Sequence, residues 1–289
     1  MSNKYAKSLV VVRELDSLRR RVHDWRRDGL SVVLVPTMGA LHEGHIKLME
    51  QAKKMADRVV ATIFINPKQF GPDEDFSSYP RQEADDFETL DVAGVHLLFA
   101  PEAEVMYPPG FATTISVAGI SDILDGQHRD GHFIGVATVV AKLLLQSLPD
   151  IALFGEKDYQ QLVLIRRFVK DLNIPVDIIG APTVRDPDGL AMSSRNSYLS
   201  TEQRAKAPIL YATITEAAAE IARSREIMVT IEQARQKLIS AGFDAVDYVE
   251  ARQADNLAPL KSTSDSGRVL AAVRLGHTRL IDNVAVPTR

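Results

Sequence analysis

The sequence predicts an α/β fold, a doubly wound parallel sheet (Rossmann-like) with a smaller C-terminal α+β domain. Three observations predict it. Short β-branched runs alternate with helical patterns through roughly the first 180 residues. Those runs are almost continuously apolar, as parallel strands covered on both faces are. The rhythm then breaks at "APTVRDPDGLAMSSRNSYLS" (181–200), a segment rich in proline, glycine and serine that reads as a domain boundary.

Taken in order, "SVVLV" (31–35), "RVVATIFI" (58–65), "VHLLF" (95–99), "DIALF" (150–154) and "PVDII" (175–179) are the expected strands. Leu48, Ala52 and Met55 mark one helix, and Leu162, Ile165 and Val169 another. Beyond the boundary, Thr201 to about Arg223 reads as a single alanine-rich helix, with Ser200 and Gln203 as its capping box. A further helix is expected over roughly 229–240, and "AVDYVEAR" and "RVLAAVRL" alternate as strands. The expected domains are therefore 1–182 and 183–289, with no internal repeat.

Composition narrows the class. A net charge of −4 and a pI near 6.0 provide no global basic field for nucleic acid or an anionic membrane. There is no cysteine, hence no disulfide framework, thiolate metal site or thiol nucleophile. The N-terminal "MSNKYAKSLVVVRELDSLRRRV" has only a short apolar patch that runs into charges, without the features of a secretion signal. "GVATVVAKLLLQSL" is interrupted by Lys142 and too short to span a bilayer. A cytoplasmic protein without nucleic-acid or membrane partners is the expectation.

Four clusters carry candidate chemistry. In "VPTMGALHEGHIKLM" (35–49), Gly39 and Gly44 have the spacing of a phosphate loop, but His45 and Ile46 stand where lysine and a hydroxyl belong. The histidines His42 and His45 are three apart, the wrong spacing for a zinc-protease helix. What remains is a strand-to-helix turn whose backbone N–H groups and imidazoles favour phosphate. "FINPKQFGPDEDFSSYPR" (64–81) offers Asn66 and Gln69 to a small polar ligand, against the plainer reading of a surface loop. Asp85 and Asp86 are candidates for a hydrated magnesium ion, or simply a solvated acidic face. "FGEKDYQQL" (154–162) brings Lys157 to a second strand-to-helix switch, where Asp158 and Gln161 also fit a helix cap. "MSSRN" (192–196) places two hydroxyls and a guanidinium within four residues, as an anion clamp would. Together the clusters describe a nucleotide-phosphate site.

In order and spacing, "PTMGALHEGH", "NPKQFG", "YPR", "GHFIGVATVVAKL", "FGEKDYQQL", "LAMSSRNSYL" and, near the end, "RLIDN" (279–283) resemble the pantoate–β-alanine ligase family of the nucleotidylyltransferase superfamily. The resemblance runs from about residue 30 to 205, and 205–265 contributes little. It makes His42-Glu43-Gly44-His45 the HIGH motif and Met192-Ser193-Ser194-Arg195 the counterpart of KMSKS. It implies that (R)-pantoate attacks the α-phosphate of MgATP and that β-alanine then displaces AMP. ATP would lie on Pro36, Thr37, Met38, Gly39, Ala40, Leu41 and the HIGH residues, on Gly155, Glu156, Lys157 and Asp158, on Val184, and on Met192 to Arg195. His45 is the implied proton donor, with His42, Lys157, Ser193, Ser194 and Arg195 as its catalytic companions. Met38, Gln69 and Gln161 would hold pantoate, and Gln69, Asn66 and Arg129 would receive β-alanine. Mg2+ would arrive with ATP and meet Asp85 and Asp86 directly or through water, although Thr89 stands where some members have glutamine. A homodimer is implied. From the clamp's position on a Gly/Ser-rich interdomain segment, the 185–197 loop and C-terminal domain are expected to close over the site after ATP binds.

The alternatives are another nucleotidylyltransferase, an aminoacyl-tRNA synthetase, for which no basic anticodon-binding region is apparent, and a catalytically silent nucleotide sensor.

Overall fold

A computed structural model describes residues 9–72, 74–223 and 226–287. The first eight residues, part of the segment read for a secretion signal, lie outside the described residues, as does Asp73 in the 64–81 loop.

The first part of the chain runs β1 (Val10–Val12), α1 (Leu15–Arg27), β2 (Val32–Thr37), α2 (Glu43–Ala52), β3 (Arg58–Ile63), α3 (Glu83–Val92) and β4 (Leu97–Phe99). Single turns α4 (Ala103–Met106) and α5 (Asp125–His128) lead to α6 (His132–Ser147), β5 (Ile151–Gly155), α7 (Tyr159–Asp171) and β6 (Asp177–Ala181). After the break come α8 (Thr201–Lys206), α9 (Ile209–Ala222), α10 (Ile227–Ser240), β7 (Ala245–Gln253), β8 (Gly267–Leu275) and β9 (Thr278–Ala285).

The chain forms two compact units. One takes the chain through Ser121, Arg129–Glu156 and Leu164–Ala181, and the other takes Asp122–His128, Lys157–Val163 and the chain from Pro182 onward. The first is a parallel six-stranded sheet of order β1-β4-β3-β2-β5-β6. Winding runs outward from β2 through β3 and β4, then resumes on the other side with β5 and β6. The reversal falls between β2 and β5, the crevice where open α/β sheets bind ligands at the strands' carboxyl ends. Val33, Val35, Val59, Ala61, Leu98 and Leu153 line one sheet face with Met49 of α2 and Leu90 of α3. The alternate residues Leu34, Val60, Leu97 and Phe99 are equally buried, so the near-continuous apolar runs have two covered faces to fill. Helix α6 packs against β2 and α1. It is apolar almost all round because it is buried almost all round.

The second unit holds the antiparallel sheet β7-β8-β9, whose core residues Val249, Val269, Ala271 and Leu280 pack with Leu210, Ile214 and Ile221 of α9 and Leu238 of α10.

Several elements escaped the pattern, α1, α6 and two strands among them, and one was mis-drawn. The patch Val10–Val12 is an edge strand paired with β4, and "RLIDN" lies within β9. The expected helix over 201–223 is two helices. Pro208 has no N–H to continue α8 and instead sits as the N-cap of α9. The Ser200–Gln203 capping box is present.

One side chain ties sheet stability to pH. His96 accepts the Val59 N–H through Nδ1 (3.0 Å) and meets the edge of the Trp25 ring. Burial, helped by the charges of Arg58 and Lys53, lowers its pKa below the ordinary 6.5. The folded state thus prefers neutral imidazole. The resulting stability is present above the unfolded value and lost as pH falls through the folded one. The urea midpoint should fall more steeply between about pH 7 and pH 5 in the parent than in His96→Asn, whose carbonyl can accept the same bond. Equal slopes would remove His96 from the account.

Candidate active site

The turn after β2 is built around a buried carboxylate. Gly39 has φ +83° and Ala40 φ +51°, both in the left-handed region. A Cβ on Gly39 would lie 2.9 Å from Asp86 Oδ2, so both its backbone angle and its surroundings call for glycine. Asp86, 1% exposed, accepts the Ala40 N–H through Oδ2 and the Leu41 N–H through Oδ1, each at 2.8 Å. Thr37 Oγ1 donates to the Thr62 carbonyl at 2.6 Å and anchors the strand end. Charge-assisted bonds of this kind offset the strain of a non-glycine residue at positive φ.

Helix α2 then begins with the two histidines as its cap. His42 is the N-cap residue in extended backbone, and its Nδ1 accepts the Gly44 N–H at 3.2 Å. His45 Nδ1 reaches back to accept the His42 N–H at 3.3 Å. This is a capping box with imidazoles in place of hydroxyl and carboxylate. The rings stand 4.2 Å apart, tilted by 50°, and both residues are half-buried. A nitrogen that accepts an N–H carries no proton, so each imidazole bears its proton on Nε2. Those are hydrogen-bond donors at a helix N-terminus, where the dipole already favours anions.

Gln69 sits on a short 3-10 turn, Pro67–Gln69, capped by Asn66. Asn66, 1% exposed, donates Nδ2 to Gln69 Oε1 and to the Gly135 carbonyl, each at 3.1 Å. Its Oδ1 accepts from Lys68 N at 3.3 Å and from the Tyr107 hydroxyl at 2.7 Å. Burial raises the Tyr107 pKa, keeping that hydroxyl a donor. With Oε1 held by Asn66, the Gln69 amide directs Nε2 at the Met38 sulfur, 3.1 Å away. Thioether sulfur is a weak acceptor that a hydroxyl or carboxylate readily replaces. Helix α6 backs this turn at very close range. A Cβ on Gly135 would fall 2.1 Å from the Lys68 carbonyl oxygen.

Arg129 is tied into the same cluster. Its Nε and Nη2 donate to the two oxygens of Glu74, each at 2.7 Å. Burial alone would raise the Glu74 carboxyl, but the hydrogen bonds and charge of Arg129 hold it below the ordinary value. Arg129 Nη1 lies 2.9 Å from His132 Nε2, and His132 Nδ1 lies 2.8 Å from the Gln69 carbonyl. Since a carbonyl only accepts, Nδ1 donates and Nε2 accepts from Arg129. Asn66 has all four hydrogen-bonding positions used within the fold, and the fork of Arg129 grips the Glu74 carboxylate, so both are joined to Gln69 in one hydrogen-bonded cluster. His132, Glu74 and Tyr107 were missed; "HRDGHF" displays His132, but nothing local in "EVMYPPG" marks Tyr107.

In the second unit, Lys157 and Ser193 line one cavity with Asn196, Arg279 and Asp282. Ser193 Oγ accepts the Arg195 N–H at 3.3 Å and caps the 3-10 turn Ser194–Tyr198. Val184 and Met192 close a small hairpin through Met192 N to Val184 O at 3.0 Å. Asp158 and Gln161 belong to this unit too, at the start of α7. Gly155 and Glu156 remain with the first unit, at the end of β5 beside β2.

The pantoate–β-alanine ligase family model matches residues 10–285. The chain belongs to the pantoate–β-alanine ligase family. Pantothenate synthetase of Paramagnetospirillum magneticum is 58% identical over 276 residues, covering 96% of this chain and 97% of that one. The solved pantothenate synthetase of Thermus thermophilus superposes with a TM-score of 0.88 at 44% identity, covering 96% and 99%. The pantoate–β-alanine ligase of Francisella tularensis, complexed with "Beta-gamma ATP and Beta-alanine", gives 0.81 at 34% identity, covering 97% and 99%.

As a pantoate–β-alanine ligase, the chain is an enzyme of pantothenate formation, and its family reaction is an ATP-dependent condensation. Such ligases generally use a divalent metal. Asp85 and Asp86 do not fit a shared direct ligand pair for it. Adjacent on α3, Asp85 is exposed while Asp86 is buried with both oxygens on backbone N–H groups. Among the described residues, no group of three His, Cys, Asp or Glu could hold a metal ion, and no helix is long and apolar enough to cross a membrane.

Asp86→Asn turns an amide toward one of the two buried N–H groups and leaves it unpaired. We expect a loss of about 1–3 kcal/mol in urea unfolding, equal in EDTA and in Mg2+. A loss confined to Mg2+-containing buffer would restore Asp86 as a metal ligand.

Proposed function

We propose that the chain makes pantothenate from (R)-pantoate, β-alanine and ATP in two steps on one site. The pantoate carboxylate attacks the α-phosphorus of MgATP and pyrophosphate leaves; Mg2+ enters as part of that substrate. The β-alanine amine then attacks the acyl carbon of pantoyl adenylate and AMP leaves. Displacement at phosphorus needs alignment and charge stabilisation more than a covalent nucleophile.

The observation that carries the residue assignment is the imidazole capping box. With both Nδ1 atoms accepting backbone N–H groups, the Nε2–H donors of His42 and His45 are preset for phosphate oxygens before ATP arrives. In this reading His45 donates its hydrogen bond as charge builds on the leaving phosphate. The Pro36–Leu41 turn, Gly44 and the exposed Glu43 at the head of α2 complete this side of the ATP site. Gly155, Glu156, Asp158, Val184 and Met192 cradle the rest of the nucleotide. Lys157, Ser193, Ser194 and Arg195 neutralise the departing pyrophosphate, and the 185–197 loop covers the reactive adenylate against water.

Pantoate lies on Gln69, Gln161 and Met38, with Gln69 Nε2 exchanging the Met38 sulfur for a substrate oxygen. β-Alanine is received by Gln69, Asn66 and Arg129, which are joined in one hydrogen-bonded cluster. The enzyme works in the cytoplasm on small molecules and not on nucleic acid, as a homodimer of the kind that the family resemblance implies.

Multiple turnovers of AMP release from MgATP and D-pantoate are expected only with β-alanine present. Pantoate-independent behaviour of folded protein would return the assignment to another nucleotidylyltransferase or to a silent sensor. His45→Ala and Lys157→Ala should each lower kcat about 10²-fold or more, the scale of one lost transition-state donor. Near-normal turnover in either would end that residue's role.

A further inference from the structure

The "RLIDN" segment of β9 has no role in the reaction as derived above, yet its polar side chains reach all three stretches of chain that make up the second unit. Period two sends Arg279 and Asn283 to one face of the strand and Asp282 to the other. Arg279 donates Nη2 to Asp125 Oδ1 at 2.6 Å and Nε to Asp247 Oδ2 at 2.8 Å, which ties in the 122–128 stretch. Asn283 donates Nδ2 to the Lys157 carbonyl at 2.9 Å, which ties in 157–163. Its Oδ1 accepts from Arg268 Nη1, fixing which end of the amide faces Lys157.

Asp282, 3% exposed, grips Arg185 through both oxygens, at 2.7 and 2.8 Å. Arg185 in turn donates to the Gly189 carbonyl at 3.1 Å and stacks 3.7 Å above the Tyr211 ring. It therefore holds the hairpin closed by the Arg185–Ala191 bridge, and Met192, Ser193, Ser194 and Arg195 follow directly from that hairpin. Lys157 and Ser193 line the same cavity as Asp282.

We propose that Asp282 and Asn283 are positioning residues of the adenylation step, acting as one rack that holds Lys157 and the Ser193–Arg195 clamp in fixed relation to each other. This rests on the reading that Lys157 and the clamp bind the leaving pyrophosphate. Neither residue touches substrate. Asn283 sets the backbone from which the Lys157 side chain springs, and Asp282 sets the hairpin from which the clamp continues. The geometry predicts a selective defect. The step in which pyrophosphate departs depends on this register, whereas the attack of β-alanine on an acyl carbon does not.

The test measures the two half-reactions separately in Asn283→Asp, Asp282→Asn and Lys157→Ala. One assay follows single-turnover pyrophosphate release from MgATP and D-pantoate, the other AMP release from preformed pantoyl adenylate on adding β-alanine. Asn283→Asp keeps the shape and removes the donor to Lys157; Asp282→Asn keeps the shape and removes the charge facing Arg185. Each should slow pyrophosphate release about tenfold to a hundredfold, the cost of a misplacement near 1 Å, and leave the β-alanine step nearly unchanged. Combining Asn283→Asp with Lys157→Ala should add nothing to Lys157→Ala alone, since the first acts through the second.

Normal pyrophosphate release in both rack variants, with Lys157→Ala impaired, overturns this inference and leaves the phosphate reading standing. Normal release in Lys157→Ala overturns both. Equal slowing of both half-reactions reduces the rack to general stability and also overturns it. Should Asn283→Asp not fold, Asn283→Ser and Arg185→Lys are judged by the same criteria.

Discussion

The Asp86 carboxylate is the constraint on which the first unit's site depends. Two consecutive N–H groups, of Ala40 and Leu41, can point at one side chain only if the chain turns back through left-handed angles there. That turn sets where α2 starts, and with it where the two imidazoles stand. Because Asp86 is buried, its desolvation is tolerable only while both backbone donors stay on it, so the bond pattern and the turn geometry enforce one another. A residue that looks from sequence like a metal ligand thus acts as an internal anion for the backbone.

The histidine pair does two things with one set of atoms. Its Nδ1 nitrogens satisfy N–H groups that the first turn of any helix leaves without partners, and in doing so they assign the proton to Nε2. Under the proposed function, structural capping and phosphate recognition are one arrangement seen from opposite sides of the ring, and the donors need no tautomer change when a charged ligand arrives.

The parallel sheet was legible because β2, β3 and β5 carry apolar runs that two covered faces demand. The three-residue edge strand Val10–Val12 was not, because its burial is partial and its charged neighbours mask the run. The helix break at Pro208 was legible in principle, being written in one residue, but the alanine-rich pattern on either side hid it. At the site, "PTMGALHEGH" and "MSSRN" display their chemistry in consecutive residues. The Asn66, Gln69, His132, Arg129 and Glu74 chain does not, since its members meet only through the docking of α6 on the 66–69 turn. Asp86 shows the opposite failure: the residue is conspicuous and its role invisible, because its partners are backbone groups 45 and 46 positions away.

Gly135 carries one more consequence. With the Lys68 carbonyl seated where a side chain would begin, the turn bearing Gln69 has the backbone of a buried helix as its floor. Short surface turns commonly open by local fraying at small free-energy cost. This one cannot lift without breaking the Asn66 bond to the Gly135 carbonyl and opening a void along the core helix. The 66–69 turn is thereby tied to α6, and its opening is expected to follow that of the core helix rather than precede it.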